Sequence, residues 1–184
     1  MLFADLVGFT SMSEARDPEH VKNLVDACFQ RLAADVTAFG GKVDKIIGDA
    51  IVALFGAPLA HEDDAERAVR AALRMQETIA AHAAEAGAQV QLRIGVNTGE
   101  VLVGALRAGG DYTAMGDVVN IASRLQSLTR ELKTPLVVAD AILRQIGGGR
   151  PPDVAQLGVK LQDQGERELR GRSAPVRIWT GPMS

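Results

Sequence analysis

The most informative part of the hydrophobic pattern in this chain is a pair of short apolar runs separated by Gly and Asp. They cover residues 43–47 and 50–55, and Gly48 and Asp49 lie between them. Such a pair between β-branched runs predicts a tight hairpin, and the nearly continuous apolar second run predicts a central strand. Asp49 would lie at the bend, where a carboxylate can hold a metal ion beside a ligand. In isolation, such an Asp more often serves the turn itself.

Helical and strand periods alternate in the first half of the chain. Apolar residues recur at helical spacing over 21–36, with start signals at Asp17 and Pro18 and a stop signal at 39–41. A second helical run covers 65–79. With the flanking strands, the order is strand-helix-strand-strand-helix-strand, which predicts an antiparallel-rich sheet with helices on one face.

The elements predicted in the second half of the chain are shorter. Residues 90–96 alternate apolar and polar side chains, 97–99 turn, and 101–106 return, which predicts a second hairpin. The remaining predicted elements are a helix through Asn120 and Arg124 to about Thr129, a strand at 136–138, a helix at 140–146, and strands within 153–180 with turns at 163–165 and 171–173.

Two further stretches carry candidate chemistry. Near the start, a short strand ends in Asp5 and is followed by a glycine turn and by helix-start signals at Thr10, an order that makes a phosphate cradle from backbone N–H groups. In the predicted helix near residue 120, Asn120 and Arg124 are four residues apart and share one face.

Composition narrows the class of protein. The 184 residues are 47% hydrophobic and 23% charged with a net charge of −3, which describes one globular domain without the basic footprint of a nucleic-acid binder. Cys28 has no second cysteine to pair with, so a reducing compartment is consistent and we expect a cytoplasmic location. No segment approaches the roughly 18 apolar residues of a membrane span, so we expect no membrane contact from this segment.

Four stretches in this order resemble one family over nearly the whole chain. They are FADLVGFT at 3–10, KIIGD at 45–49, NTGEVLVG at 97–104 and GDVVNIASR at 116–124. The chain resembles the catalytic domain of class III nucleotide cyclases, the adenylate and guanylate cyclases. The resemblance implies an α+β fold with a ferredoxin-like palm core (βαββαβ) and additional C-terminal strands and helix. We expect residues 1–184 to form one catalytic domain, which can be a segment excised from a larger multidomain protein.

The resemblance also implies a reaction and its residues. The ribose 3′-hydroxyl of a nucleoside triphosphate attacks the α-phosphate, which yields a 3′,5′-cyclic monophosphate and pyrophosphate. Asp5 and Asp49 match the ligands of two divalent ions per active site, Mg²⁺ or Mn²⁺. Arg124 matches the residue that neutralises charge on the α-phosphate, and Asn120 the residue that positions the ribose. Arg170 resembles a late basic residue that meets the terminal phosphates.

Base choice and phosphate binding follow from the same match. Lys45 stands where adenylate cyclases carry a lysine for adenine and guanylate cyclases carry Glu, so ATP is the expected substrate. Thr113 replaces the usual Asp partner, as in cyclases that resemble the soluble, bicarbonate-responsive subclass, and its hydroxyl can donate or accept. The backbone N–H groups expected to cradle the β- and γ-phosphates belong to Val7, Gly8, Phe9 and Thr10.

In the family each active site lies across a dimer interface. Asp5 and Asp49 would come from one protomer, and Lys45, Thr113, Asn120 and Arg124 from the other. Because this chain contains all six, the resemblance implies a symmetric homodimer with two shared sites. Attached regulatory domains would be absent from this segment. The alternatives are a catalytically silent nucleotide-binding or dimerisation module, a guanylate cyclase, and a polymerase-palm relative, which the GDVVNIASR helix argues against.

Overall fold

A computed structural model describes residues 1–8, 18–105, 112–147, 157–170, 172 and 174–181, with backbone alone for residues 18, 20, 102–105 and 112–115. Within these ranges the chain forms nine strands and four helices. The strands are β1 (Leu2–Val7), β2 (Lys42–Ile47), β3 (Ala50–Leu54), β4 (Gln91–Val96), β5 (Leu102–Ala105), β6 (Tyr112–Met115), β7 (Leu136–Ala139), β8 (Gln162–Arg167) and β9 (Val176–Thr180). The helices are α1 (Pro18–Ala38), α2 (Asp64–Glu85), α3 (Asp117–Leu132) and α4 (Asp140–Ile146).

The main sheet has the strand order β2-β3-β1-β4-β7-β9-β8. β1 lies between β3 and β4 and is antiparallel to both, and β2 pairs with β3 through the predicted hairpin. These four strands with α1 and α2 form the βαββαβ palm core. β7 extends the sheet parallel to β4, and β8 and β9 complete it. The predicted α+β class and palm core are therefore confirmed.

Helices cover both faces of this sheet, so the prediction of helices on one face is wrong. Ile51 and Ala53 of β3 pack in the cluster that includes α1 and α2. Val52 and Leu54 point to the opposite face, where they pack with residues of α3. A strand that is apolar at every position has two faces to bury, and α3 supplies the second cover. This places α3 on the face that Asp5 shares with Phe3, since successive side chains alternate.

The predicted second hairpin is wrong as well. β4 is already paired with β1 on one edge and β7 on the other, so it has no edge left for β5. β5 instead pairs with β6 in a separate two-stranded sheet. The predicted turn at 163–165 lies inside β8, where Gly165, with a φ of +71°, accompanies an irregularity in the pairing with β9.

Gly95 of β4 lets α3 lie directly against the sheet. A Cβ atom at this position would come within 2.2 Å of the carbonyl oxygen of Ala122 and 2.4 Å of the backbone nitrogen of Gln126. Both are backbone atoms of α3, so a side chain could be accommodated only if the whole helix moved away.

Gly95→Ala should therefore destabilise the fold by about 2 kcal/mol or more, the usual cost of overpacking a core. Urea unfolding followed by circular dichroism measures it. Gly41→Ala is the matched control, because its Cβ would press on the ring of Phe55 and on a methyl group of Val36, which are side-chain ends that can move, and a smaller loss is expected. Equal losses for the two variants would contradict this account of Gly95.

Candidate active site

Asp5 and Asp49 are brought together by the pairing of three strands. Asp5 lies in β1, in register with Ala50 of β3 and Arg93 of β4. Asp49 lies in the β2–β3 turn, and its carbonyl oxygen accepts a hydrogen bond of 2.9 Å from the backbone N–H of Leu6. This bond ties the turn to β1, so the two carboxylates line one cleft.

The cleft has a volume of about 290 Å³ and lies where β1, the β2–β3 turn, β4 and the second half of α3 meet. Two carboxylates and two guanidinium groups face it from different elements, together with an amide and a hydroxyl. The lining residues are Asp5, Leu6, Val7, Gly8, Asp49, Arg93, Gln126, Ser127 and Arg130.

Burial and charge raise the pKa of Asp5 to about 6. Loss of hydration is the largest cause, and the nearby Asp49 carboxylate adds to it by repulsion and by accepting a hydrogen bond from the neutral form. The positive charge of Arg93 and the hydrogen bond from Gln126 act in the opposite direction. Two carboxylates that repel each other in one partly buried cleft form a site that a cation would stabilise.

This donor set fits a hard divalent cation. Among the residues that the structure describes, no group of three or more His, Cys, Asp or Glu side chains could enclose a metal. Mg²⁺ keeps several waters and typically takes one or two protein carboxylates, so Asp5 and Asp49 suffice for it. A zinc site would ask for more protein ligands.

Val7 and Gly8, two of the four predicted members of the phosphate cradle, line the cleft two and three residues after Asp5. Gly8 has a φ of +108°, and a Cβ atom there would lie 2.1 Å from the carbonyl oxygen of Gln89, so the turn has room for glycine only. Phe9 and Thr10, the other two predicted members of the cradle, lie outside the described residues.

Lys45 lies apart from this cleft, on edge strand β2. Its Nζ is 3.1 Å from Oδ2 of Asp44, whose side chain is 1% exposed, whereas that of Lys45 is 35% exposed. A pairing irregularity between Val43 and Lys45 accommodates this arrangement. An anchored ammonium group at a sheet edge can be presented to a ligand or to a partner chain.

The strand that carries Thr113 lies between the elements that carry Lys45 and Asn120. β6 packs against both β2 and α3, although the side chain of Thr113 is not described. Asn120 is exposed on the first turn of α3. Arg124, one turn further, has a buried Nη1 atom without a hydrogen-bond partner in the described part of the chain. A buried guanidinium nitrogen without a partner is costly, so this atom has a hydrogen bond left to donate to a further acceptor.

Arg170 is exposed in the turn after β8. This turn is held beside the start of α3, because Nε of Arg172 lies 3.6 Å from Oδ2 of Asp117 and the backbone N–H of Arg172 bonds to the carbonyl of Leu169. Arg170 is therefore near the Asn120 end of α3 in the fold.

Comparison with known protein families gives the family directly. The model of the adenylate and guanylate cyclase catalytic domain matches residues 1–180 of this chain. The chain belongs to this family. The match covers the whole main sheet. It also covers all of the candidate site residues, both those that line the cleft and those that lie outside it.

Individual cyclases resemble the chain at moderate identity. Adenylate cyclase 1 of Rhizobium meliloti is 32% identical over 97% of this chain, which spans 26% of that relative's length. The structure of the adenylyl cyclase CyaB from P. aeruginosa matches all of this chain and 92% of its own with a TM-score of 0.83 and 26% identity. The structure of the guanylyl cyclase Cya2 matches 98% of this chain and 89% of its own with a TM-score of 0.79 and 33% identity.

The chain is thus a catalytic domain of the cyclase family, and both adenylate and guanylate cyclases resemble it. Since it spans about a quarter of the Rhizobium meliloti relative, the activity and partners of the whole protein are proposals. No helix in the described ranges has the length and apolar character needed to span a bilayer.

Sequence reasoning missed four polar residues of the cyclase cleft, namely Arg93, Gln126, Ser127 and Arg130. Arg93 is a charged residue in β4, whose second half is apolar. It is paired in register with Asp5 of β1, so the two side chains lie on the same face of the sheet. Gln126 is a buried amide on the apolar face of α3, and Arg130 follows one turn later. A polar residue on an apolar face was the available signal for Gln126, but only the packing of α3 over β1 shows what it contacts.

Proposed function

We propose that this chain is an adenylate cyclase catalytic domain that converts ATP to 3′,5′-cyclic AMP and pyrophosphate. The observation that carries the proposal is the partition of the candidate residues. Asp5 and Asp49 share one cleft, while Lys45, Asn120 and Arg124 lie outside its lining, and Arg124 has a buried nitrogen without a partner among described atoms. A second protomer that docks across the cleft would supply the missing half.

Each residue then has one task. Asp5 and Asp49 would hold Mg²⁺ or Mn²⁺, two ions per site, which when bound activate the ribose hydroxyl and neutralise the triphosphate. Arg124 neutralises the charge that develops on the α-phosphate, and Asn120 positions the ribose. Preorganised donors of this kind are most effective where charge appears in the transition state.

Phosphate binding falls to the backbone after Asp5 and to the arginines. The N–H groups of Val7 and Gly8, continued by Phe9 and Thr10, cradle the β- and γ-phosphates. Arg93 and Arg130 line the same cleft and add positive charge on the metal-binding protomer. Arg170 approaches the terminal phosphates from the partner, beside Asn120.

Lys45 is the basis for choosing ATP over GTP. A lysine donates a hydrogen bond to the acceptor N1 of adenine, whereas guanine presents an N–H there. The ion pair with the buried Asp44 orients Lys45. Thr113 is its partner in base recognition, and its hydroxyl tolerates either base edge. Guanylate cyclase is the second candidate, favoured by the 33% identity to the structure of Cya2.

The test is product formation from ATP and from GTP in parallel, with Mg²⁺ and with Mn²⁺, at high protein concentration. Cyclic AMP is the expected main product. Lys45→Glu should reduce the preference for ATP by about 5- to 150-fold, because a mismatched buried polar pair costs about 1–3 kcal/mol. Lys42→Glu, the same charge change at an exposed position of β2, should leave the preference unchanged.

The outcomes separate the candidates. Equal rates from both nucleotides would mean that Lys45 does not select the base, and a preference for GTP would favour guanylate cyclase. No product from a dimeric sample would favour a silent nucleotide-binding module. The same assay with and without bicarbonate at fixed pH tests the proposed bicarbonate stimulation, which Thr113 and the likeness to that subclass support. A cytoplasmic location remains part of the proposal.

A further inference from the structure

Gln126 is a polar side chain on the face of α3 that packs against the sheet. It is 8% exposed, and the neighbouring positions on this face, Ala122 and Leu125, are fully buried. A buried amide that lacks a partner is costly, so its contacts are informative. Its Nε2 donates a hydrogen bond of 3.2 Å to Oδ2 of Asp5, which is 121 positions away in the chain.

The backbone of Gln126 is held firmly. At Gly95 the sheet approaches α3 so closely that a Cβ atom there would lie 2.4 Å from the backbone nitrogen of Gln126. The hydroxyl of Thr129, which is itself 1% exposed, donates to the carbonyl oxygen of Gln126. The packing of α3 against β4 therefore fixes the backbone position from which the Gln126 amide reaches β1.

We propose that Gln126 is the positioning residue of Asp5, holding its carboxylate in the orientation that binds the divalent cation. The inference rests on the proposed function, because it takes Asp5 as a ligand of Mg²⁺ or Mn²⁺. The amide occupies one oxygen of Asp5 and leaves the other available to the cation. Without this donor, repulsion from Asp49 would turn the carboxylate away.

This role resembles that of hydrogen-bond donors behind other metal ligands, whose removal typically weakens metal binding by about 10- to 100-fold. A ligand that is already oriented loses less conformational freedom when the cation binds. A purely structural role would instead show as lost stability without a specific effect on the metal.

The experiment measures Mn²⁺ binding to the whole chain without nucleotide, from the electron paramagnetic resonance signal of unbound Mn²⁺. Gln126→Met keeps the length of the side chain and removes the donor, and its Kd for Mn²⁺ should rise at least about tenfold. Gln126→Leu removes the donor with a differently shaped apolar side chain, and the same rise in Kd is expected. Thermal melting shows which of these variants are folded.

Asn97→Leu is the matched control for a general loosening of α3. Asn97 is also a buried amide, 4% exposed, and its Nδ2 donates to a carbonyl of the same helix, that of Val118, at 3.5 Å. This contact lies at the opposite end of α3 from the cleft. Asn97→Leu should cost stability but leave the Kd for Mn²⁺ within about twofold of the wild type, because the Asp5 contact is intact.

Three results would overturn the inference, and they are distinguishable. An unchanged Kd in folded Gln126→Met refutes the role of Gln126 and leaves the cyclase proposal standing. Equal loss of Mn²⁺ binding in Gln126→Met and Asn97→Leu assigns Gln126 a structural role. If the wild-type chain binds no Mn²⁺, the proposed metal ligands fail first and the inference fails with them.

Discussion

An equimolar mixture of Asp49→Ala and Arg124→Ala chains should regain about a quarter of the wild-type cyclase activity, although each variant on its own falls by at least about a hundredfold. In the proposed homodimer, Asp49 and Arg124 of one chain serve different sites. Half of the dimers in the mixture combine the two variants, and each of these has one intact site. Product formation against protein concentration measures the recovery.

The control mixes Asp49→Ala with Asp5→Ala. Both residues line the same cleft of one protomer, so every site in this mixture lacks one carboxylate and no activity should return. If the Asp49→Ala and Arg124→Ala mixture remains inactive while both variants dimerise, the shared-site proposal is contradicted. Activity that does not fall on dilution below the dimer dissociation constant would contradict it too.

Asp5→Asn should abolish activity and, in the metal-free protein, raise the free energy of unfolding by about 1 kcal/mol at pH 8. The pKa of Asp5 is raised from 3.8 to about 6, so the fold favours the neutral carboxyl and ionisation costs stability. A shift of this size corresponds to a larger energy, but Asp5 is partly exposed, and solvent screening reduces it. Asparagine keeps an oxygen for Gln126 and removes the charge.

The sign of the pH dependence follows from a raised acid pKa. The neutral form has its full stabilising effect below the unfolded pKa of 3.8, and this effect is lost as the pH rises through about 6. Asp5→Asn should therefore exceed the wild type in stability at pH 8 and match it near pH 4. Urea unfolding in the presence of a chelator at the two pH values measures this.

Two comparisons complete this test. Asp26→Asn, at an exposed position of α1, should change stability little at either pH. Adding Mg²⁺ or Mn²⁺ should stabilise the wild type and not Asp5→Asn, because a ligand stabilises only the state that binds it. If Asp5→Asn is less stable than the wild type at pH 8 without metal, the carboxylate contributes to the fold rather than opposing it.

The proposed metal ligands oppose the stability of the metal-free fold through a few contacts. Asp5 and Asp49 repel each other, and Arg93 and Gln126 compensate in part. Core strands with fully buried side chains on both faces support this strained pair. Functional sites commonly oppose the stability of the fold that holds them.

Local pattern was sufficient to predict the elements that carry the site. The Gly48-Asp49 hairpin, the start of α1 at Pro18 and the bounds of α4 follow from turn chemistry, capping signals and helical spacing, which act over a few residues. The motif order identified the family, which the match over residues 1–180 confirms. The roles of Lys45 and Thr113 remain predictions from that resemblance.

Contacts between distant parts of the chain were decided by the tertiary structure. Sequence pattern shows that β4 is a strand but not that β1 and β7 occupy its two edges, so β5 was paired with the wrong neighbour. It shows that β3 is apolar throughout but not that α3 covers its second face. The bond from Gln126 to Asp5 depends on this placement and on the close approach at Gly95, and no local period encodes a contact across 121 positions.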